Sequence, residues 1–140
     1  MWMNDVMGWV LKSPLHFLLS KGMMLITVTG RKSGKLISTP VAYLREGNTL
    51  WVVSRRTSKW WRNLRGGAVV QVHLAGRKMN GQGSLIEDQQ AVAQRLFENF
   101  KADARGARFA QVKLDAAGQP IYADCERTAE TMMVVGIKLA

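Results

Sequence analysis

Residues 23–45 read Met23-Met-Leu-Ile-Thr-Val-Thr-Gly30-Arg-Lys-Ser-Gly34-Lys-Leu-Ile-Ser-Thr-Pro40-Val-Ala-Tyr43-Leu-Arg45. Up to Thr29 the stretch alternates, with Leu25, Thr27 and Thr29 opposed to Met24, Ile26 and Val28, which is the period of a strand with two unlike faces. Gly30-Arg-Lys-Ser-Gly34 is a tight turn, and alternation resumes from Leu36 to Arg45. Pro40 inside that run removes a ladder donor, so the second strand belongs at an edge or a bulge. Two strands joined by a short turn make a hairpin, so the fold begins as an antiparallel sheet.

Working outward, Glu46-Gly47-Asn48 turns the chain into a third strand over Leu50 to Val53, which predicts an antiparallel meander. Trp60-Trp61-Arg62-Asn63-Leu64 reads as one short helical passage ended by Gly66-Gly67. Two more strands follow, Val69 to Leu74 and Lys78 to Ile86, joined at Ala75-Gly76. From Asp88, a fitting N-cap, the period becomes helical, with Val92, Leu96 and Phe100 on one face. Residues 105–122 show no clear period, and Thr131 to Leu139 reads as a last apolar strand. About six antiparallel strands with interrupting helices imply a mainly β, α+β domain, a small closed or split barrel.

The expected division is an N-terminal helical segment, 1–22, and a barrel, 23–140, within one domain of 140 residues. Ser13-Pro14 gives the helix its start and Gly22 its stop. The apolar start of the chain lacks the basic lead and small-residue cleavage site of a secretion signal. It is also interrupted well short of the ~20 apolar residues of a membrane span. Trp2, Trp9 and Phe17 with Lys12 and Lys21 fit a helix lying on a membrane surface, on the barrel, or on a second subunit of a homodimer. One cysteine, Cys125, excludes an intrachain disulfide and fits a reducing, cytoplasmic setting.

The net charge of +10 is informative once it is located. Between Arg31 and Lys78 stand eleven Lys/Arg against a single acid, Glu46, so this third of the chain holds the whole excess. A block this one-sided repels itself unless it meets an anion: cofactor phosphates, nucleic acid, an anionic lipid surface or acidic tails. The turn Gly30–Lys35 is not a P-loop, because it has three residues between its glycines, Leu36 after the lysine, and a strand on each side. What it offers is backbone N–H groups among Arg31, Lys32, Ser33 and Lys35, a set that can cradle phosphate or simply form a solvated tip.

Residues with chemistry of their own are few. His16 and His73 have no ligand partners at metal spacing, no metal site is expected, and no catalytic acid pair or nucleophile elbow stands out. Cys125 between Asp124 and Glu126 is a poor thiolate. Bond-breaking chemistry would therefore come from a borrowed cofactor. Trp60 and Trp61 among Arg55, Arg56, Lys59, Arg62 and Arg65 suit barrel packing, a cofactor cleft, or base stacking on single-stranded nucleic acid.

Leu25 through Gly34, Ser38-Thr-Pro-Val-Ala-Tyr43, Arg45-Glu-Gly47 and Trp60-Trp-Arg-Asn-Leu-Arg65 together resemble the deazaflavin-dependent nitroreductase family. The resemblance covers residues 23–87 well and the last strand loosely. It implies a split β-barrel of the flavin-reductase type binding coenzyme F-420, or FMN in its place, and hydride transfer to an organic acceptor. By position, Arg31, Lys32, Ser33 and Lys35 would hold phosphate or the acidic tail, and Thr39 and Pro40 would lie beside the cofactor. Ser54, Arg55 and Arg56 would flank the ring, while Trp60 and Asn63 would close the cleft. No catalytic residue is implied. Two departures stand out: the cationic Arg55–Lys59 where such members carry a longer glycine-rich loop, and the presence of just two tyrosines, Tyr43 and Tyr122. A related subgroup binds fatty acids at membranes, and Met23, Met24 and Leu25 with the apolar N-terminus keep that lipid-binding alternative open.

Overall fold

The computed structural model describes residues 23–108 and 110–140. The helical segment expected over 1–22 lies outside the described residues. Seven strands are present: β1 Met23–Thr29, β2 Leu36–Ala42, β3 Leu44–Glu46, β4 Thr49–Arg55, β5 Ala68–Leu74, β6 Arg77–Ile86 and β7 Met132–Leu139. A 3-10 helix, Trp60–Leu64, follows β4, and two α-helices, α1 Gln89–Ala102 and α2 Tyr122–Thr128, stand between β6 and β7.

All neighbouring strands run antiparallel, in the order β2-β1-β5-β6-β7-β4-β3. The sheet coils until β2 comes back beside β4, so it forms a half-barrel, the split-barrel architecture. Inward residues alternate as the sequence requires: Met24, Ile26 and Val28 on β1, Leu50 and Val52 on β4, Val70, Val72 and Leu74 on β5. From Met133 to Ile137, β7 is buried at every position, because one face meets the barrel core while α1 packs against the strand. That double cover explains its continuous apolar run. Val92, Leu96 and Phe100 of α1 are buried, and the Asp88 carboxylate accepts from the N–H of Ala91 at 3.0 Å as its N-cap.

Two expectations are corrected. The run Leu36–Arg45 is two strands rather than one, broken at Tyr43: β2 pairs with β1, whereas β3 forms a hairpin with β4. This raises the count from about six to seven. Nor is the start of the chain a simple meander, since β4 does not pair with β2 but takes β7 as its partner, Thr49 opposite Lys138 through to Arg55 opposite Met132. That register lays one apolar strand against another for seven residues. Pro40 does sit on an edge strand, opposite Leu25.

Candidate functional site

The basic turn is closed by its own bonds. The N–H of Gly30 donates to Lys35 O and that of Gly34 to Gly30 O, both at 2.8 Å, with Gly34 at φ +68°. The Lys35 N–H donates to Ser33 Oγ at 3.2 Å. Lys32 and Lys35 project from this tip, exposed, with no side-chain hydrogen bond or ion pair among the described residues. The backbone N–H groups of Lys32 and Ser33 are likewise unused among the described residues. Two cations and two N–H groups on one closed tip are donors of the kind an anion can accept from.

The tip leans on the Trp60–Leu64 helix. The Arg31 N–H donates to Asn63 Oδ1 at 3.0 Å, and the Arg31 guanidinium donates to the carbonyl of Arg65. Asn63 Nδ2 in turn donates to Trp60 O at 3.0 Å. After Leu64 the chain reverses through Gly66 (φ +82°) and Gly67 (φ +89°), conformations open to glycine at little cost.

Trp61 and Trp60 divide the roles between core and surface. Trp61 is 3% exposed, its indole N–H donates to Arg55 O at 3.0 Å, and Arg62 and Arg65 lie over its ring at 5.7 and 5.4 Å. Trp60 is half-buried and packs on the edge of the core. Base stacking on both rings is therefore corrected, because a buried Trp61 offers no face to a nucleotide. Arg65 also meets Glu87 at 3.3 Å.

Ser54, Arg55 and Arg56 end β4. Ser54 is buried, its hydroxyl 3.4 Å from Arg55 O, and Arg55 is exposed. The Arg56 guanidinium is engaged: Nε and Nη2 both donate to Ala129 O, at 3.1 and 2.9 Å, just past the C-terminus of α2. A cation there also complements the helix dipole. Thr39 and Pro40 are half-buried on β2, opposite Ile26 and Leu25.

Of the eleven residues singled out by sequence, Arg31, Lys32, Ser33, Lys35, Trp60 and Asn63 form one hydrogen-bonded unit or sit on its tip. Ser54, Arg55 and Arg56 form a second group, joined to it through Trp61. Thr39 and Pro40 connect through the strand that leaves the turn. Sequence reasoning did not single out Arg65 as the anchor of Arg31. Its place in a cationic run gave no hint that its backbone carbonyl was the relevant atom.

Elsewhere the chemistry is sparse. Burial, with Asp124 adding to it, pushes the Cys125 thiol up to about 11, so it is inert as a nucleophile. Among the described residues no three His, Cys, Asp or Glu side chains come together to hold a metal ion. An open hollow lined by Ala104, Ala107, Arg108, Gln111, Val112, Lys113, Leu114 and Arg127 shares no residue with the basic turn or the Trp60–Leu64 helix. No helix among the described residues is long and apolar enough to cross a membrane.

A model of the F420H2-dependent quinone reductase family matches residues 14–122. No curated protein matches the chain. Among solved structures, the chain is similar to an F420-H2 dependent reductase (TM-score 0.53, 15% identity, 84% of this chain and 95% of that one). It is also similar to an FAD and heme binding protein from Mycobacterium smegmatis (TM-score 0.55, 13% identity, 91% and 67%). A third similar structure is described as a domain-swapped dimer (TM-score 0.57, 16% identity, 98% and 97%). At these identities the structures establish the fold.

Proposed function

The chain belongs to the F420H2-dependent quinone reductase family, and from that premise we propose that it is an oxidoreductase passing hydride from reduced coenzyme F-420 to a quinone-type acceptor. The observation that carries this reading is the donor set on the basic turn. A charge excess spread over 48 residues of sequence, 31–78, culminates in a closed tip whose two lysine side chains and two N–H groups have no partner among the described residues.

That donor set fits the coenzyme's phosphate and acidic tail. Lys32 and Lys35 would meet the anionic charge, and the N–H groups of Lys32 and Ser33 would orient the phosphate oxygens. Arg55, Thr39, Pro40 and Ser54 would border the ring, and Trp60 would cover it. Arg31, Arg56 and Asn63 contribute from behind, since their polar groups already hold protein carbonyls or N–H groups. The coenzyme supplies the hydride chemistry, which agrees with a protein whose lone thiol is inert. The residues bind, orient and neutralise charge.

Fluorescence titration with oxidised F-420 and, separately, FMN tests the cofactor reading, and turnover of a soluble quinone by reduced F-420 tests the reaction. Binding of F-420 with Kd below about 100 μM, or roughly −5.5 kcal/mol, is expected. Absence of binding by either cofactor in that range would end the proposal. A homodimer belongs to the same reading, supported by the similar structure described as a domain-swapped dimer. Analytical ultracentrifugation measures it directly.

A further inference from the structure

We propose that Asn63 is a positioning residue for cofactor binding. It would not hold the coenzyme itself; it would lock the basic turn to the Trp60–Leu64 helix so that the two sides of the site keep one spacing. This rests on the reading that F-420 binds at the turn.

The geometry assigns both ends of the Asn63 carboxamide. Oδ1 takes the Arg31 N–H from across 32 residues of sequence, and Nδ2 binds the carbonyl of Trp60. The other bonds of the tip, Gly30 to Lys35, Gly34 to Gly30 and Lys35 to Ser33, are internal. They make the tip stiff but say nothing about where it points. Its direction is set by Arg31, through the Asn63 amide on one side and the Arg65 carbonyl on the other.

The residue type is demanding. One side chain must accept from a backbone N–H and donate to a backbone carbonyl 3.0 Å away, which a carboxamide does and a carboxylate cannot. An aspartate would keep the first bond, lose the second, and add a negative charge beside an anion site. Lys32 and Lys35 lie one and four residues after Arg31 on the same closed turn, so fixing Arg31 places the backbone from which both side chains start. A site ordered before the ligand arrives loses less freedom on binding. Asn63 would thus act on the tail-binding half of the site through the turn.

The test compares two ligands: intact F-420, and its deazaflavin chromophore lacking phosphate and tail. With Asn63→Ala we expect intact F-420 to bind about 5- to 20-fold more weakly, in the range of one lost hydrogen bond. The tail-less chromophore should change less than about twofold. In a Lys32→Ala, Lys35→Ala background, the effect of Asn63→Ala on F-420 should shrink, because the two ammonium groups are gone and the backbone N–H groups of the tip alone remain to be positioned. Equal weakening of both ligands, or an undiminished effect in that background, would overturn the proposal in favour of direct contact.

Amide hydrogen exchange of Arg31 reads the lock without any ligand. Faster exchange in Asn63→Ala supports it, and unchanged exchange overturns it. Should Asn63→Ala not fold, Asn63→Ser, which also lacks the reach for both partners, takes its place with the same expectations. Wild-type protein that binds no F-420 overturns the functional reading, and the Arg31 exchange result then still decides whether the lock exists.

Discussion

The indole N–H of Trp61 donates to the carbonyl of Arg55 at 3.0 Å, tying the end of β4 to the helix that carries the candidate site. The ring behind that bond is in the core, with Leu64 and Val70 among the residues of the same cluster. One residue thus anchors the site's scaffold to the barrel, while its neighbour Trp60 stays at the surface. Trp61→Phe removes this donor, leaving the Arg55 carbonyl with the Ser58 N–H at 3.1 Å, and opens space for part of an indole in the core. We expect a loss of about 2–4 kcal/mol in urea unfolding. Trp60→Phe should cost less than about 1 kcal/mol. Equal losses for the two would contradict this division.

Gly136 on β7 lies under Trp51 of its partner strand. A Cβ added there would stand 2.7 Å from Trp51 Cζ3, while Arg95 of α1 covers the ring at 4.4 Å from its centroid. The indole can give way only by displacing the Arg95 side chain. Gly136→Ala should destabilise by about 1–3 kcal/mol through overpacking, and Trp51→Leu in the same chain should recover part of that loss. Thermal melts of the single and double variants measure both.

Ala75 opens the two-residue turn between β5 and β6 at φ +50°, a conformation that an alanine adopts at a cost. Asparagine tolerates it, and Asn-Gly is the favoured pair for such a hairpin. Ala75→Asn should therefore raise stability by about 0.5–1 kcal/mol without touching the candidate site. A melting temperature that falls would show that the turn is held differently.

Asp124 couples the irregular segment before α2 to acid stability. The Lys113 N–H, at 2.9 Å, does most to hold this carboxyl below the usual carboxylate range, and the Arg127 guanidinium, also at 2.9 Å, adds to it against the opposing effect of burial. A folded-state value below the unfolded one means that its stabilisation is complete above about pH 4 and disappears as pH falls through the folded value. Asp124→Asn should be less stable than the parent at neutral pH, and the gap should close as pH drops below about 4. Denaturation curves at pH 7 and in acid test this; a gap that stays constant contradicts it.

Local patterns made the fold legible where the deciding contacts were local. Alternation gave β1 and β5, Ala75-Gly76 gave the hairpin turn from β5 to β6, and Asp88 gave the start of α1. The break at Tyr43 was hidden because alternation continues across it, and the β4–β7 pairing was hidden because it joins residues as far apart in sequence as Thr49 and Lys138. Residues 110–121 are held by individual bonds rather than a period, such as Asp115 Oδ1 accepting from Ala117 and Gln119, both at 2.9 Å. At the site, residue types revealed the cations. They could not reveal that Arg56 is bound to Ala129, 73 positions away, or that Asn63 faces Arg31.

An F-420 titration of the wild type beside Lys32→Ala, Lys35→Ala, with a melting curve for each, decides whether the basic turn holds the coenzyme. The two lysines have no side-chain partner among the described residues, so folding stability should stay within about 0.5 kcal/mol per site. Cofactor affinity should fall by about 2–4 kcal/mol, at ~1.5–3 for each charged hydrogen bond with some non-additivity. A folded double variant that binds F-420 as tightly as the wild type would contradict the assignment of the basic turn to the coenzyme's phosphate and tail.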